Sequence, residues 1–219
     1  LALGFLANEG IIHRREEVRL VQVCPAGHCV DVWLRFTPRL PRRPILTSGC
    51  GGGVTFDDLT RQVKPVTADL RVTPAQVTGL MRRLYRAEGL YRQVRGVHTS
   101  ALSDGERLLV VAEDVGRHNT LDKVRGACLM QDIETEGRIL LSTGRISSEM
   151  LNKAARMGVP VVVSRTSPTS LAVALARHWG ITLVGYARRG QMRIYAHPRR
   201  ILTTLSPSPD THDQGGQPR

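Results

Sequence analysis

Aromatic side chains are scarce: three Phe, four Tyr and two Trp, 4% of 219 residues. So few rings leave little on which to stack nucleobases. The net charge of +12, from 31 Lys and Arg against 19 Asp and Glu, nevertheless favours an anionic partner. Its basic residues come as scattered pairs (Arg14 and Arg15, Arg42 and Arg43, Arg82 and Arg83, Arg188 and Arg189, Arg199 and Arg200) rather than one dense stripe. General solubility accounts for most of these pairs, and no nucleic-acid partner is expected. Cysteine is also sparse. Cys24, Cys29, Cys50 and Cys128 fall in unrelated contexts and are too few for a disulfide scaffold, so a reducing cytoplasm is the expected setting. No apolar run reaches the roughly 18 residues of a membrane helix. No basic segment followed by an apolar one and a small-residue cleavage site argues for export. The chain opens at Leu1 inside an amphipathic pattern, from which a missing native leader is expected.

With 41% hydrophobic residues, the chain can bury one sizeable core or two small ones. "LALGFLANEGII" reads as a short helix closed by Gly10, and "VRLVQVC" and "DVWLRF" as two strands joined by a "PAGH" turn. Cys24, His28 and Cys29 in "CPAGHC" offer two thiols and an imidazole. The second ligand pair of a structural zinc site is absent, so the stretch reads as a hairpin loop and no metal site is expected. Residues 37–65, rich in Pro, Gly, Thr and Arg without a period, read as a long loop carrying Cys50. From Thr73 onward, helices end at Gly89, Gly158 and Gly180 and alternate with apolar strands such as "RILLS", "VPVVVS" and "ITLVGYA". Strands of nearly continuous apolar residues predict a mainly parallel sheet covered on both faces. The expected fold class is α/β: a small N-terminal α+β domain over 1–64, an α/β/α three-layer domain over 65–205, and a disordered polar tail over 206–219.

In such a sheet, ligands sit beyond the carboxyl ends of the strands. There the sequence places "EDVGRHNTLDK", with Arg117, His118 and Asn119; "TGRISSE", with Gly144 and Arg145; and "RTSPTS", with Arg165. Each of the latter two adds hydroxyls at a helix start, where free N–H groups favour an anion. Ser147 and Ser167 are expected N-caps. Taken singly, these hydroxyls and His118 suit a protein that binds nothing; three arginines just beyond strands point to an anionic ligand. In "LTSGCGGGVTF", Cys50 stands between small residues and three glycines. That backbone can present a thiol outward, and a basic neighbourhood favours its thiolate. Cys128 falls on a helix face with Leu121 and Val124 and reads as packing.

The segments "EDVGRHNTLDKVRG", "TGRISSEM", "AARMGVPVVVSRTSPTSLAVALA" and "LVGYARRGQMRIYAHP", with the opening "LALGFLANEGII", resemble the FdhD family over roughly residues 1 to 200. The resemblance implies a sulfurtransferase. It would accept sulfur from a cysteine desulfurase as a persulfide on Cys50. It would pass that sulfur to the molybdenum cofactor, bis(molybdopterin guanine dinucleotide), needed by formate dehydrogenase. The family also implies a cytidine-deaminase-like domain, a homodimer, and cofactor or GDP binding through Tyr186, Ala187, Arg188, Arg189, Gly190 and Gln191. By side-chain chemistry alone no general base is obligatory, and His118 or His98 could assist proton movement. Two positions depart from its pattern: Gly53 stands where many members have a second loop cysteine, and Gln191 where Arg is common. A zinc-dependent deaminase is disfavoured because Ser100 stands where "VHTSA" would need a glutamate, with no Pro-Cys-x-x-Cys downstream. A chaperone that binds the guanylated cofactor or the apo-enzyme without transferring sulfur is the remaining alternative.

Overall fold

The computed structural model describes residues 1–38, the backbone of 45–46 and 54–55, and residues 64–202. Helix α1 (Ala2–Asn8) is followed by an antiparallel hairpin of β1 (Val18–Val23) and β2 (Val30–Leu34). A second short ladder pairs β3 (Ile45–Leu46) with β4 (Val54–Thr55), so the segment read as one long loop holds two strand fragments. Cys50 and Gly53 lie outside the described residues.

Helix α2 (Pro74–Ala87) opens on a reciprocal cap. The Thr73 hydroxyl accepts from the Gln76 N–H at 3.2 Å, and the Gln76 side chain accepts from the Thr73 N–H at 2.8 Å. Short helix α3 (Leu90–Val94) follows, then β5 (His98–Ser103), β6 (Leu108–Asp114), α4 (Arg117–Met130), β7 (Ile139–Ser142), α5 (Ser148–Arg156), β8 (Val161–Ser164), α6 (Ser170–Trp179), β9 (Thr182–Arg188) and β10 (Gln191–Ala196). The six strands from β5 onward form one sheet in the order β10-β9-β8-β7-β5-β6.

Burial alternates along these strands. Ile139, Leu141, Val161 and Val163 face one way, with Val77, Leu80, Met81 and Leu84 of α2. Leu140, Val162 and Leu183 face the other, with Leu121 and Val124 of α4, Met150 and Leu151 of α5, and Ala172 and Ala176 of α6. A sheet buried on both faces is the middle of three layers, as the apolar runs predict.

The sheet is mixed rather than mainly parallel, which corrects the expectation from sequence. Only β7–β8 and β8–β9 pair in parallel; β5 pairs antiparallel with both β6 and β7, and β9 with β10. Connection length decides this. Helical crossovers carry β7 to β8 to β9, whereas a four-residue turn closes β5–β6 and a two-residue turn closes β9–β10. In the latter, Arg189 and Gly190 have φ of 52° and 79°, the left-handed pair that such tight hairpins require. Because β6, β7, β8 and β9 still run the same way, their carboxyl ends converge on one edge.

Two features anchor the ends of the chain to this core. A Cβ on Gly4 would fall 1.7 Å from the Asp122 carbonyl oxygen, so α1 and α4 touch backbone to backbone. Arg200, placed among the solvated basic pairs by sequence, is only 2% exposed. It donates to the carbonyls of Ala68 (3.1 Å), Gly180 (2.7 Å) and Val66 (3.2 Å), and ties the segment before α2 to the α6–β9 junction. Cys128 is 1% exposed and packs in the core as expected; burial pushes its thiol up to about 11.

Candidate functional site: an arginine cleft at the strand ends

The ends of β7, β8 and β9 are stitched together. Arg165 N–H donates to the Ser142 carbonyl at 3.0 Å, and Tyr186 N–H donates to the Thr166 carbonyl at 3.1 Å. Tyr186 itself has φ of 52°, a conformation worth about 1–3 kcal/mol of strain for a non-glycine residue. The β9–β10 register slips there: Gln191 pairs with Arg188 but Arg193 with Gly185. This bulge bends the hairpin so that its turn faces the end of β8.

Between the turn and α2 lies an open cleft of about 830 Å³, lined by Thr78, Arg82, Tyr85, Arg165, Ala187, Arg188, Arg189, Gly190 and Gln191. Four guanidinium-bearing residues surround it. The Arg165 guanidinium sits 5.2 Å from the Tyr85 ring centroid. The Tyr85 hydroxyl is buried and has no hydrogen-bond partner among the described residues. Burial, the largest influence, raises its pKa, as does nearby Glu88, while Arg165 opposes them. A neutral phenol beside a planar cation can donate to a ligand oxygen or stack with a ring. On the outer side of the hairpin, Tyr186 carries Arg188 and Arg193 at 5.8 and 5.7 Å from its ring centroid and, with Pro74 and Met192, lines a second opening of about 680 Å³.

Of the residues predicted from sequence, the cleft brings together Ala187, Arg188, Arg189, Gly190, Gln191 and Arg165; Tyr186 adjoins it. Arg117, Asn119, Gly144, Arg145 and His118 do not line it. Arg145 is exposed at the β7–α5 junction. Asn119 donates to Asp114 at 3.0 Å, and Asp114 also takes the Lys123 ammonium at 2.6 Å. Glu113 accepts from the N–H groups of Gly89, Leu90 and Tyr91, which caps α3. Much of the polar "EDVGRHNTLDK" run thus organises its own turn. The helix caps also differ. Ser147 caps α5, but α6 is capped by Thr169 rather than Ser167. The bridge of Ile146 to Pro168, with Thr169 N–H on the Ile146 carbonyl at 2.9 Å, keeps the chain extended past Ser167.

Sequence reasoning missed Thr78, Arg82 and Tyr85 as cleft residues. Their spacing at i, i+4 and i+7 puts them on one helical stripe, and a tyrosine ending a stripe of polar residues was the available signal.

The model of the FdhD/NarQ family matches residues 1–202. The chain belongs to the FdhD/NarQ family. It is 38% identical over 212 residues to the sulfur carrier protein FdhD of Staphylococcus haemolyticus, covering 93% of this chain and 80% of that protein. The protein of the same name from Staphylococcus aureus strain MRSA252 is 39% identical over 210 residues, 92% of this chain and 78% of its own. The crystal structure of a formate dehydrogenase accessory protein from Desulfotalea psychrophila aligns with a TM-score of 0.73 at 35% identity, covering 91% of this chain and 78% of that one.

In this FdhD/NarQ member, His118 is buried at 8% exposure, with its Nε2 3.1 Å from the Ser147 hydroxyl. Burial, then Arg117, Lys153 and His98, lower its pKa to about 4, against the opposing pull of Glu149. His118 is therefore neutral at pH 7 and a weak proton acceptor. The unfolded chain, with histidine near 6.5, binds the extra proton between those values. Stability is therefore complete above pH 6.5 and lost as pH falls towards 4. Going from pH 7.5 to 4.5 removes about 2.5 kcal/mol through this residue alone. Unfolding free energies from urea titrations at the two pH values should separate by that much more in the parent than in His118→Gln. Equal separations would show that the imidazole titrates normally.

Ser100, the position where a deaminase would need its carboxylate, sits 2.7 Å from the Thr120 hydroxyl and donates to Ser142 at 3.1 Å. The three hydroxyls form a fully buried cluster. Among the described residues no helix is long and apolar enough to cross a membrane.

Proposed function

We propose that this chain is a cytoplasmic sulfur carrier, in which Cys50 receives sulfur as a persulfide and the arginine cleft holds the guanylated molybdenum cofactor that accepts it. The observation that carries this reading is the cleft itself: four arginines, and a tyrosine hydroxyl with no partner among the described residues, at the carboxyl edge of the sheet. It occurs in a family whose relatives bear the name sulfur carrier protein. Guanidinium groups engage phosphate oxygens by paired hydrogen bonds, so a nucleoside diphosphate such as GDP, or the nucleotide arms of bis(molybdopterin guanine dinucleotide), suits the site in charge and size.

In the proposed cycle, the Cys50 thiolate attacks the outer sulfur of a cysteine desulfurase persulfide. A Cys50 persulfide forms and the desulfurase thiolate leaves. The S–S bond of the Cys50 persulfide then breaks: Cys50 leaves as its thiolate, and the sulfane sulfur would become a sulfido ligand of the molybdenum centre bound as substrate, which would supply the two electrons by going from Mo(IV) to Mo(VI); formate dehydrogenase receives the finished cofactor. With Gly53 as the neighbouring loop position, Cys50 would work without an adjacent resolving thiol. The three-layer core is read as a cytidine-deaminase-like domain, preceded by a small N-terminal domain, and the working unit as a homodimer.

Intact mass after incubation with a cysteine desulfurase and cysteine tests the reading. The expected result is a gain of about 32 Da, one persulfide sulfur, reversed by reductant and absent from Cys50→Ala. If an active desulfurase loads neither protein, sulfur carriage fails, and a cofactor-binding chaperone takes its place.

A further inference from the structure

The tip of the β1–β2 hairpin gathers three soft ligand groups. The Cys24 and Cys29 sulfurs and a His28 ring nitrogen all lie within 4.8 Å of one another. We propose that Cys24, His28 and Cys29 bind one zinc ion at this tip, with the fourth coordination position open.

Around a tetrahedral zinc ion, with Zn–S of about 2.3 Å and Zn–N of about 2.0–2.1 Å, ligand atoms stand about 3.5–3.8 Å apart. The present separations, none above 4.8 Å, exceed that spacing by little more than an ångström at most. The backbone is already fixed for it. Cys24 N–H donates to the Cys29 carbonyl at 3.0 Å, and Gly27 N–H to the Cys24 carbonyl at 2.8 Å, with Gly27 at a φ of 73°. Cys29 N–H donates to the Cys24 sulfur at 3.0 Å. A backbone N–H aimed at sulfur orients a first ligand and offsets charge on a metal-bound thiolate.

The absent second ligand pair excludes a closed four-ligand site. It does not exclude two thiolates and an imidazole with one open position, a known zinc arrangement. Cys29 and His28 are exposed and Cys24 half-buried, so the fourth ligand is water or a donor from a partner. The hairpin has use for such a link. A two-stranded ribbon is marginal by itself. Here Leu20, Val23, Val30 and Trp33 remain 42–59% exposed, and the register already slips between Val18 and Leu20. A metal cross-link at the tip fixes the pairing of the two strands.

The test uses the full chain, reduced and metal-free, titrated with zinc against a chromophoric chelator and separately with cobalt(II). The expected result is one zinc per chain with a sub-micromolar Kd and thiolate-to-cobalt charge-transfer absorption. Zinc should also slow hydrogen exchange at the Gly27 and Cys29 amides. Cys24→Ser and Cys29→Ser should each abolish tight binding, and His28→Ala should weaken it by about 10–100-fold. Cys50→Ala should bind as the parent does, which separates this site from the sulfur carrier and makes the result independent of sulfur loading. The hairpin lies outside the core, so circular dichroism of the variants should match the parent. Absence of stoichiometric binding, binding unchanged in Cys24→Ser and Cys29→Ser, loss with Cys50→Ala, or a Cys24–Cys29 disulfide that survives reductant each overturns the proposal.

Discussion

Asp122→Ala should cost about 3–5 kcal/mol, the largest loss of stability expected from any one substitution considered, because it strands a buried cation. Lys153 Nζ lies 2.7 and 2.6 Å from the two Asp122 oxygens, and the two side chains are only 7% and 3% exposed. Asn8 donates to the same carboxylate at 2.7 Å, and the Phe5 ring centroid lies 5.6 Å from the ammonium. The group therefore joins α1, α4 and α5 in one place. Two outcomes separate the cost of an unpaired charge from the worth of the pair. In Asp122→Ala the ammonium keeps its burial and loses its counterion. In the double variant Asp122→Leu, Lys153→Met neither charge remains, and most of the loss should be recovered, since apolar replacements of buried pairs are often neutral or better. Urea unfolding measures both. At this chain length, the single substitution corresponds to a fall in Tm of about 10 °C. A loss under about 1 kcal/mol for Asp122→Ala would mean that Lys153 reaches water once released, as a surface pair would.

Much of this architecture is legible in the sequence, for reasons specific to each part. The α2 start is written locally, since Thr73, Pro74 and Gln76 complete a cap within one turn. Strands β7, β8 and β9 announce themselves as apolar runs because both faces are covered. Strand direction is not written in those runs. A strand buried on both faces reads alike in either direction, and only the shortness of the 104–107 and 189–190 connections carried the antiparallel pairings. Burial of a charged side chain is also invisible locally: Arg199 and Arg200 are neighbours in sequence, yet Arg200 is the one enclosed by carbonyls of Val66, Ala68 and Gly180. The site divides the same way. Arg165 and the Arg188–Gln191 turn follow strands and are found by that rule. Thr78, Arg82 and Tyr85 join them from a helix more than 75 residues earlier, a juxtaposition that only the folded sheet creates.

Arg165→Glu should weaken GDP binding by about 100-fold or more, and comparison with Arg145→Glu decides which strand end holds the nucleotide. Both arginines follow parallel strands, so sequence alone ranks them equally. The structure separates them: Arg165 lies over Tyr85 in the cleft, whereas Arg145 is exposed and does not line it. A hydrogen bond to a charged group is worth about 1.5–3 kcal/mol. Replacing that donor with a carboxylate adds repulsion towards a diphosphate, and 2.7 kcal/mol or more corresponds to about 100-fold. Arg165→Lys keeps the charge but not the planar fork that stacks on the tyrosine, and should lose about tenfold. Arg145→Glu changes the same net charge at a distance, so titration calorimetry at fixed ionic strength should find it within about twofold of the parent once salt screens the exposed site. Equal losses for Arg165→Glu and Arg145→Glu would instead indicate attraction to the whole basic surface, and a larger loss for Arg145→Glu would move the binding site to the β7–α5 junction beside Gly144 and Arg117.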